Sequence, residues 1–240
     1  MKTYVVSLKR STERRAHMQA LLTHAGISFE FFDAIDGTEA LHFLHCDKAA
    51  PELTFKRKGY HLIPAEIACY ASHFALWEKC VELNEPIVIL EDNVKLLTED
   101  LHSLLKDLSH RVEQCGYIKM SAHQPNQYKA AFKIEGIYSL GFYCKGTCGT
   151  SAYIISPQAA KQFILHAQYF IEPVDDYMEK PWRHGVKAYH VFPSAFERSQ
   201  TKTVIGTRRK QKQPVGPSHK LYIEGFRAYE TLMRKLTKVI

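Results

Sequence analysis

Residues 3–32, TYVVSLKRSTERRAHMQALLTHAGISFEFF, decide the fold class of this chain. Residues 3–8 are β-branched, aromatic and apolar, as expected of a buried strand. Apolar side chains then recur at helical spacing between Ser11, which suits an N-cap, and Gly26, which suits a C-terminal stop. Residues 29–32 return as a second strand. A strand, a helix and a second strand within 32 residues predict a βαβ unit and therefore a parallel sheet.

The rest of the chain continues this alternation of helices and short apolar strands. A helix is predicted from Pro64 to about Asn84, and the wholly apolar strand 87–90 follows it. Thr98 is predicted to cap the next helix. Further strands are expected at 117–120, 137–143, 151–155 and, as the last strand, 186–192, with a helix at 156–166 and a linker at 206–218. Loops such as 123–133 and 141–148 are expected to determine donor and acceptor specificity, although their sequence does not reveal which sugars they select.

Length and composition limit the class of protein. The 240 residues are 45% hydrophobic and 24% charged, which is typical of a globular chain and excludes a disordered chain, a fibre and a coiled coil. The longest aliphatic run, residues 87–90, is far shorter than the roughly 20 apolar residues of a membrane span. Charged residues follow the first apolar stretch too soon for a signal peptide. A cytoplasmic protein is expected.

Cysteine spacing argues against a zinc site. The six cysteines form no paired CxxC set, and a cytoplasmic chain is expected to keep them as thiols. Cys144 and Cys148 flank Gly146 and are the pair that an oxidising compartment could join.

Positive charge is concentrated near the end of the sequence. The net charge is +7, but residues 198–240 hold 11 basic and 2 acidic side chains, or +9. Such a segment suits a polyanion partner: an anionic membrane, a phosphorylated glycolipid or a nucleic acid. The alternative is a solvated basic face without a partner.

Three oxygen-bearing side chains, Glu91, Asp92 and Asn93, directly follow the apolar strand 87–90. Ligands bind beyond the carboxyl ends of strands in open parallel sheets. Carboxylate and carbonyl oxygens are preferred by hard divalent cations, and such a cation can neutralise a diphosphate leaving group. The alternative is a turn with solvated acids.

A second acidic cluster, Asp175 and Asp176, lies close to Tyr177 and Trp182. A carboxylate beside an aromatic ring is typical of a sugar site, where the acid takes a hydroxyl proton. The alternative is a helix N-terminus, where acids favour the dipole.

Basic side chains and histidines give weaker signals. Arg10, Arg14 and Arg15 follow the first strand and can reach phosphates, or can form a solvated helix face. His73, beside Ser72, and His190 in the last predicted strand fit a hydrogen-bonded structural role better than a ligand role.

Six blocks in order resemble glycosyltransferase family 25, the lipopolysaccharide and lipooligosaccharide sugar transferases of Gram-negative bacteria. They are VVSLKRSTERR (5–15), FDAIDG (32–37), AEIACYASH (65–73), ILEDNV (89–94), GTSAYIIS (149–156) and PVDDY (173–177). The resemblance implies a GT-A type α/β fold with a mostly parallel sheet flanked by helices. It further implies inverting transfer of a sugar, commonly galactose from UDP-galactose, to a lipid-linked oligosaccharide.

The resemblance also implies the roles of individual residues. The nucleotide-sugar site would comprise Ser7, Leu8, Arg10, Arg14, Asp33, Ala34, Ser72, His73, Glu91 and Asp92, and a Mn²⁺ or Mg²⁺ site would comprise Glu91, Asp92, Asn93 and His190. Our own hypothesis, from the second acidic cluster, is that Asp175 or Asp176 is the catalytic base, with a preference for Asp176. Asn93 replaces the usual third acid and brings no charge, so metal binding is expected to be weaker.

Residues 1–205 are expected to form the catalytic domain, and residues 206–240 a basic linker and an amphipathic helix. In that helix Tyr222, Phe226, Tyr229, Met233, Leu236 and Ile240 form an apolar stripe, and Lys220, Arg227 and Arg234 form a basic face. The helix suits an anionic membrane surface, on the inner face of the inner membrane. The alternative is packing on the protein itself or on a second subunit.

Two other functions compete with a transferase. A catalytically inactive nucleotide-sugar or glycan-binding module is conceivable because of Asn93. A nucleic-acid-binding protein would use the basic tail, but the chain lacks an aromatic RNA-binding signature, so no nucleic-acid partner is expected.

Overall fold

The computed structural model describes residues 1–38, 42–134, 136–199, 211–212 and 214–237. The strands in these residues are β1 (Lys2–Ser7), β2 (Glu30–Asp33), β3 (Tyr60–His61), β4 (Ile87–Glu91), β5 (Val94–Leu96), β6 (Tyr117–Lys119), β7 (Tyr128–Lys133), β8 (Ser139–Tyr143), β9 (Ala152–Ile155), β10 (Ala188–Phe192), β11 (Phe196–Arg198) and β12 (Gln211–Lys212). The helices are α1 (Thr12–His24), α2 (Pro51–Lys58), α3 (Pro64–Leu83), α4 (Leu101–Cys115), α5 (Pro157–His166), α6 (Val174–Met178), α7 (Pro181–His184) and α8 (Pro217–Leu236).

Eight strands form one sheet in the order β2-β1-β4-β9-β6-β10-β8-β7. The pairs β1–β2, β1–β4 and β6–β10 are parallel, and the other pairs are antiparallel. Six of the eight strands therefore run in one direction, and β8 and β9 run in the other. The predicted α/β class with a mostly parallel central sheet is confirmed, including the opening βαβ unit.

Helices cover both faces of this sheet. Side chains alternate along a strand, so Tyr4 packs with α3 and α5 on one face, whereas Val5 packs with α1 and α4 on the other. Both side chains are at most 2% exposed. Burial on both faces explains why residues 87–90 are wholly apolar.

The start of α3 is fixed against the segment that follows β2. Pro64 occupies the first turn, and the Glu66 carboxylate accepts a hydrogen bond of 3.1 Å from the Ile63 backbone N–H. A Cβ at Gly37 would lie 2.6 Å from the Pro64 carbonyl oxygen, so this close approach requires glycine. The FDAIDG block and α3 are thereby held together.

Several sequence predictions need correction. The helix predicted to begin at Thr98 is capped instead by Asp100, whose carboxylate accepts a hydrogen bond from the Ser103 N–H. The Thr98 hydroxyl accepts a hydrogen bond from the Asp100 N–H and does not cap the helix. Residues 123–133 are not all loop, since β7 pairs with β8 as a hairpin. Nor is β10 the last strand: β11 pairs with β5, and β12 pairs with β3.

The predicted linker and domain boundary lie mostly outside the described residues. Within the described part, Gln211–Lys212 forms β12 and α8 begins at Pro217. All six cysteines are free thiols, including Cys144 and Cys148. Among the described residues, no helix is both long and apolar enough to span a membrane.

Helix α8 packs on α2 and α7, which is the self-packing alternative for this helix. Ile223 is buried, and the Phe226 ring lies 5.2 Å from the Arg57 guanidinium. Tyr222, Tyr229 and Leu236 of the predicted stripe are nevertheless exposed. The stripe is therefore only partly covered; Ile240 lies outside the described residues.

A buried ion cluster anchors α8 to the rest of the protein, and we call it the α8 ion cluster. Its members are Lys58, Glu172, Asp176, Lys180, Arg183 and Glu230. Lys180 is 1% exposed, and its Nζ lies 2.6 Å from the Glu230 carboxylate and also contacts Glu172. Burial alone would raise the pKa of Glu172, but Lys180, Lys58 and Arg183 lower it to about 2.

Candidate active site

A cavity lies at the carboxyl ends of the neighbouring parallel strands β1 and β4, and we call it the first cavity. Val6 of β1 pairs with Glu91 of β4, so Ser7 and Asp92 lie next to each other just past this pair. The first cavity has a volume of ≈ 160 Å³ and receives side chains from α1 and α3 as well. This is the position expected for a ligand site in an open sheet of this kind.

Asp92 is held rigidly at the base of the first cavity. Its Oδ2 accepts a 2.6 Å hydrogen bond from the Ser7 hydroxyl, and its Oδ1 lies 3.1 Å from the Arg14 guanidinium. The side chain is only 10% exposed, so the charge of Arg14 compensates a buried carboxylate. The Asp92 carboxylate, directly after β4, therefore links this strand to β1 through Ser7 and to α1 through Arg14.

Glu91 is ionised over the whole physiological pH range. Burial alone would raise its pKa, but His73, whose Nε2 lies 3.9 Å from the carboxylate, and the Thr150 hydroxyl, which donates to it, lower the pKa to about 2. His73 is itself positioned by a 2.8 Å hydrogen bond between its Nδ1 and the Tyr153 hydroxyl. Glu91 thus provides a fixed negative charge that still faces the cavity.

Asn93 carries an unsatisfied acceptor. Its Oδ1 is buried and has no hydrogen-bond partner within the described part of the chain, and the residue lines the first cavity. A buried polar atom without a partner is costly unless a ligand or water satisfies it. Asn93 and Asp92 therefore offer an amide and a carboxylate oxygen, a donor set that suits Mn²⁺ or Mg²⁺.

Protein ligands alone would not complete such a metal site. Among the described residues there is no group of three His, Cys, Asp or Glu side chains that could hold an ion. Divalent cations at phosphate sites commonly take their remaining ligands from the phosphates and from water. The residues present fit a cation that a bound diphosphate helps to hold.

A second cavity adjoins the first and contains Asp175. Glu91, Cys69 and Arg198 line both cavities, so the two are continuous. The Asp175 carboxylate accepts hydrogen bonds from the Gly149 N–H at 2.9 Å and from the Asp176 N–H at 3.0 Å. Two backbone amides thus fix this carboxylate beside the first cavity.

Asp176, the residue preferred as the base from the sequence, points away from both cavities. Its Oδ2 lies 3.1 Å from Lys180 Nζ and 3.5 Å from Lys58 Nζ, within the α8 ion cluster. It does not line either cavity. Successive residues of α6 project about 100° apart, so one aspartate faces the cavity and the next faces the lysines.

Most of the predicted nucleotide-sugar residues come together in the first cavity. Ser7, Leu8, Arg10, Arg14, Ala34, Ser72, His73, Glu91 and Asp92 all line it. Asp33 does not, because it pairs with Arg15 at 2.6 Å and Lys9 at 3.3 Å. The Ser72 hydroxyl also holds the segment after β2, because it accepts a hydrogen bond from the Ile35 backbone N–H.

His190 is not brought to the predicted metal ligands. It is 5% exposed in β10, and its Nε2 lies 3.0 Å from the Thr147 hydroxyl. Burial and the nearby Lys119 hold its pKa well below the usual value, so it is neutral. The structure therefore places His190 in a separate polar network.

Sequence reasoning missed other residues that line these cavities. Arg198 is brought there because β11 pairs with β5, which sets Arg198 opposite Val94, the residue after Asn93. Glu66, Cys69, His123 and Thr150 line the second cavity. Glu66, Cys69 and Thr150 lie within the AEIACYASH and GTSAYIIS blocks, so the sequence offered a signal for them. The position of Arg198 depends on a strand pairing that no local sequence pattern shows.

Comparison with known proteins identifies the family. The model described as "Glycosyltransferase family 25 (LPS biosynthesis protein)" matches residues 1–178. The lipooligosaccharide biosynthesis protein lic2B of Haemophilus influenzae is 32% identical, over 68% of this chain and 62% of that protein. The lacto-N-neotetraose biosynthesis glycosyltransferase LgtB of Neisseria gonorrhoeae is 30% identical, over 68% of this chain and 60% of its own length.

One more distant relative is named as an inactive member of the same family. The inactive glycosyltransferase 25 family member 3 of Mus musculus is 27% identical, over 73% of this chain and 31% of its own length. The matches to the two bacterial relatives span about three fifths of those proteins. Because the family model matches well over half of the chain, the chain belongs to glycosyltransferase family 25.

Proposed function

We propose that this chain transfers a sugar from a UDP-sugar to the oligosaccharide of bacterial lipopolysaccharide or lipooligosaccharide. The observation that carries the proposal is the pair of continuous cavities that share Glu91: arginines line the first, and the second contains Asp175. The names of the lic2B and LgtB relatives support the acceptor class. UDP-galactose is the proposed donor, and the transfer is proposed to invert the anomeric centre.

The first cavity suits the nucleotide diphosphate. Arg10, Arg14 and Arg198 line it, and guanidinium groups recognise phosphate oxygens through directed hydrogen bonds. It lies at the carboxyl ends of parallel strands, where open α/β sheets bind their ligands.

The second cavity suits the acceptor, with Asp175 as the base. The acceptor hydroxyl oxygen forms a bond to the anomeric carbon, and Asp175 takes the hydroxyl proton. The bond from that carbon to the diphosphate oxygen breaks, and its electron pair leaves with UDP. Positioned general-base help is worth about 10² to 10⁴ in rate.

Mn²⁺ or Mg²⁺ is the proposed cofactor, and Asp92 and Asn93 are the residues that would hold it. A bound divalent cation would neutralise the developing charge on the UDP leaving group. Arg14 holds Asp92 in place at 3.1 Å, and the Ser7 hydroxyl donates to its other oxygen. These contacts orient the carboxylate before any ligand binds.

UDP release tests the proposal. The chain would be incubated with UDP-galactose, UDP-glucose or UDP-N-acetylglucosamine, with Mn²⁺ or EDTA, and with truncated lipooligosaccharide as acceptor. We expect acceptor-dependent release with UDP-galactose that EDTA abolishes. Failure to bind UDP in a titration would contradict the proposal at its first step.

A binding module without chemistry is the competing function. The uncharged Asn93 in the third acidic position and the inactive mouse relative favour it. UDP binding at normal affinity, with no release from any donor or acceptor, would decide for the binding module.

An anionic membrane surface is the proposed further partner, through residues 218–240. Leu221, Leu232 and Leu236 of α8 are 76%, 54% and 69% exposed, although the helix packs on the protein. Exposed apolar residues beside basic ones suit a lipid surface. Liposome co-sedimentation that survives Leu221→Glu/Leu232→Glu would argue against this surface, and the point variants leave the Glu230 contacts intact.

A further inference from the structure

A third cavity, here called the basic pocket, is lined by four cations. Lys129 lies on β7, Lys145 follows β8, Lys187 precedes β10, and Arg234 lies on α8. Within the described part of the chain, none of the four side chains has an ion-pair partner. Like charges gathered in one concavity raise the local concentration of anions.

The acidic side chain that lines the basic pocket does not cancel this charge. Glu179 contacts Lys119 Nζ and accepts hydrogen bonds from the Thr147 N–H and hydroxyl, at 3.1 and 2.9 Å. Its carboxylate is 8% exposed, so it is neutralised within the protein. The four surrounding cations therefore remain available to a ligand.

Arg234 is held in the basic pocket by packing. Its guanidinium carbon lies 5.7 Å from the centre of the Trp182 ring, which also lines the pocket. Glu230, one turn earlier on α8, is fixed by Lys180 and Lys58. Arg234 is therefore the cation that the predicted basic face of α8 contributes, and α8 completes the pocket.

One loop separates the basic pocket from the second cavity. Lys145 and Gly146 line the basic pocket, whereas Cys148 and Gly149 line the cavity of Asp175. The Gly149 N–H donates to Asp175, two residues after Thr147 donates to Glu179. A saccharide that reaches across this short loop can contact both the basic pocket and the second cavity.

We propose that the basic pocket binds a phosphate- or carboxylate-bearing sugar of the acceptor. That this sugar belongs to the acceptor rests on the proposed function, whereas the binding of an anionic sugar does not. Aromatic side chains of the pocket, Trp182 and Tyr143, supply apolar surface for the sugar body beside cations for its anionic group.

Tryptophan fluorescence tests the proposal directly. The chain has two tryptophans, and Trp77 is fully buried, so a ligand in the basic pocket reports through Trp182. Glucose 6-phosphate, glucose and inorganic phosphate would be titrated into the full chain. We expect glucose 6-phosphate to bind about tenfold more tightly than glucose, because charge-assisted contacts add to the sugar contacts.

Matched charge variants give the control. Lys129→Gln/Lys187→Gln should weaken glucose 6-phosphate binding about fivefold, the scale of two exposed ion contacts. Lys133→Gln/Lys161→Gln removes the same charge from exposed positions outside the pocket and should leave binding unchanged. Trp182→Phe should remove the fluorescence response.

The outcomes separate this proposal from the transferase proposal. Weaker glucose 6-phosphate binding in the pocket variant than in the control variant supports the pocket even if no UDP-sugar is ever turned over. If turnover occurs, the pocket variant should raise the KM for a phosphorylated oligosaccharide while the KM for the UDP-sugar stays constant. Equal binding by both double variants, or binding of inorganic phosphate as tight as glucose 6-phosphate, would overturn the proposal.

Discussion

Glu91 and Glu172 are two glutamates whose pKa is lowered to about 2, but Glu172 is buried whereas Glu91 is 22% exposed, and their partners differ. Glu172 is surrounded by Lys58, Lys180 and Arg183, so its charge is cancelled inside the α8 ion cluster. Glu91 is stabilised mainly by His73 and by a hydroxyl, and it still lines both cavities. Glu172 therefore has its charge cancelled by three cations, whereas Glu91 keeps capacity for a ligand because it still faces the cavities.

The same contrast separates two adjacent aspartates. Backbone amides hold Asp175 beside the first cavity, whereas two lysines hold Asp176. This difference in partners is the reason Asp175, and not Asp176, is the proposed base.

Breaking the α8 ion cluster should give the largest loss of stability. Lys180→Met leaves Glu172, Asp176 and Glu230 short of a buried cation, and the free energy of unfolding should fall by about 3–5 kcal/mol. Urea unfolding measures it. Lys95→Met is the matched control, because its pair with Glu197 is exposed and should cost less than about 1 kcal/mol. Equal losses in the two variants would show that the cluster is not what holds α8.

Removing a cation from the first cavity should instead reduce ligand binding. Arg14→Met should raise the dissociation constant of UDP about tenfold, because a guanidinium contact to the diphosphate is lost. Isothermal titration calorimetry measures this, with Arg111→Met as a control that removes the same charge from α4. Unchanged UDP binding in Arg14→Met would place the nucleotide elsewhere.

Local sequence patterns predicted one part of this contrast, the position of Glu91. An apolar strand followed by Glu91, Asp92 and Asn93 predicted their place, because parallel strands present their carboxyl ends together. The same reasoning could not separate Asp175 from Asp176, since adjacent acids look alike until the lysines of distant segments are placed. Arg198 was missed for the same reason: its position depends on the pairing of β11 with β5.

A change in the charge of the proposed metal site should shift metal dependence. Asn93→Asp should lower the Mn²⁺ concentration for half-maximal activity about tenfold, because a charged ligand binds a hard cation more strongly. Asn93→Ala should raise that concentration. If neither variant changes it, Asn93 is not a ligand.

The smallest expected effect concerns acid stability. Glu91 has a lowered pKa in the folded protein, so its stabilising contribution is present above the unfolded value of 4.5 and is lost as the pH falls towards about 2. Between pH 7 and pH 4 this loss should be about 1 kcal/mol in wild type. In Glu91→Gln, urea unfolding at the two pH values should not show this loss of unfolding free energy. An identical pH dependence in the two proteins would contradict the electrostatic role of Glu91.

The most direct test of the central claim compares turnover in Asp175→Asn and Asp176→Asn. Both changes remove one charge from adjacent positions of α6, so each variant is the control for the other. With UDP binding confirmed, Asp175→Asn should lose about 10² to 10⁴ of the transfer rate, whereas Asp176→Asn should keep turnover and lose stability. Normal turnover in Asp175→Asn, or a folded Asp176→Asn variant without turnover, would contradict the account.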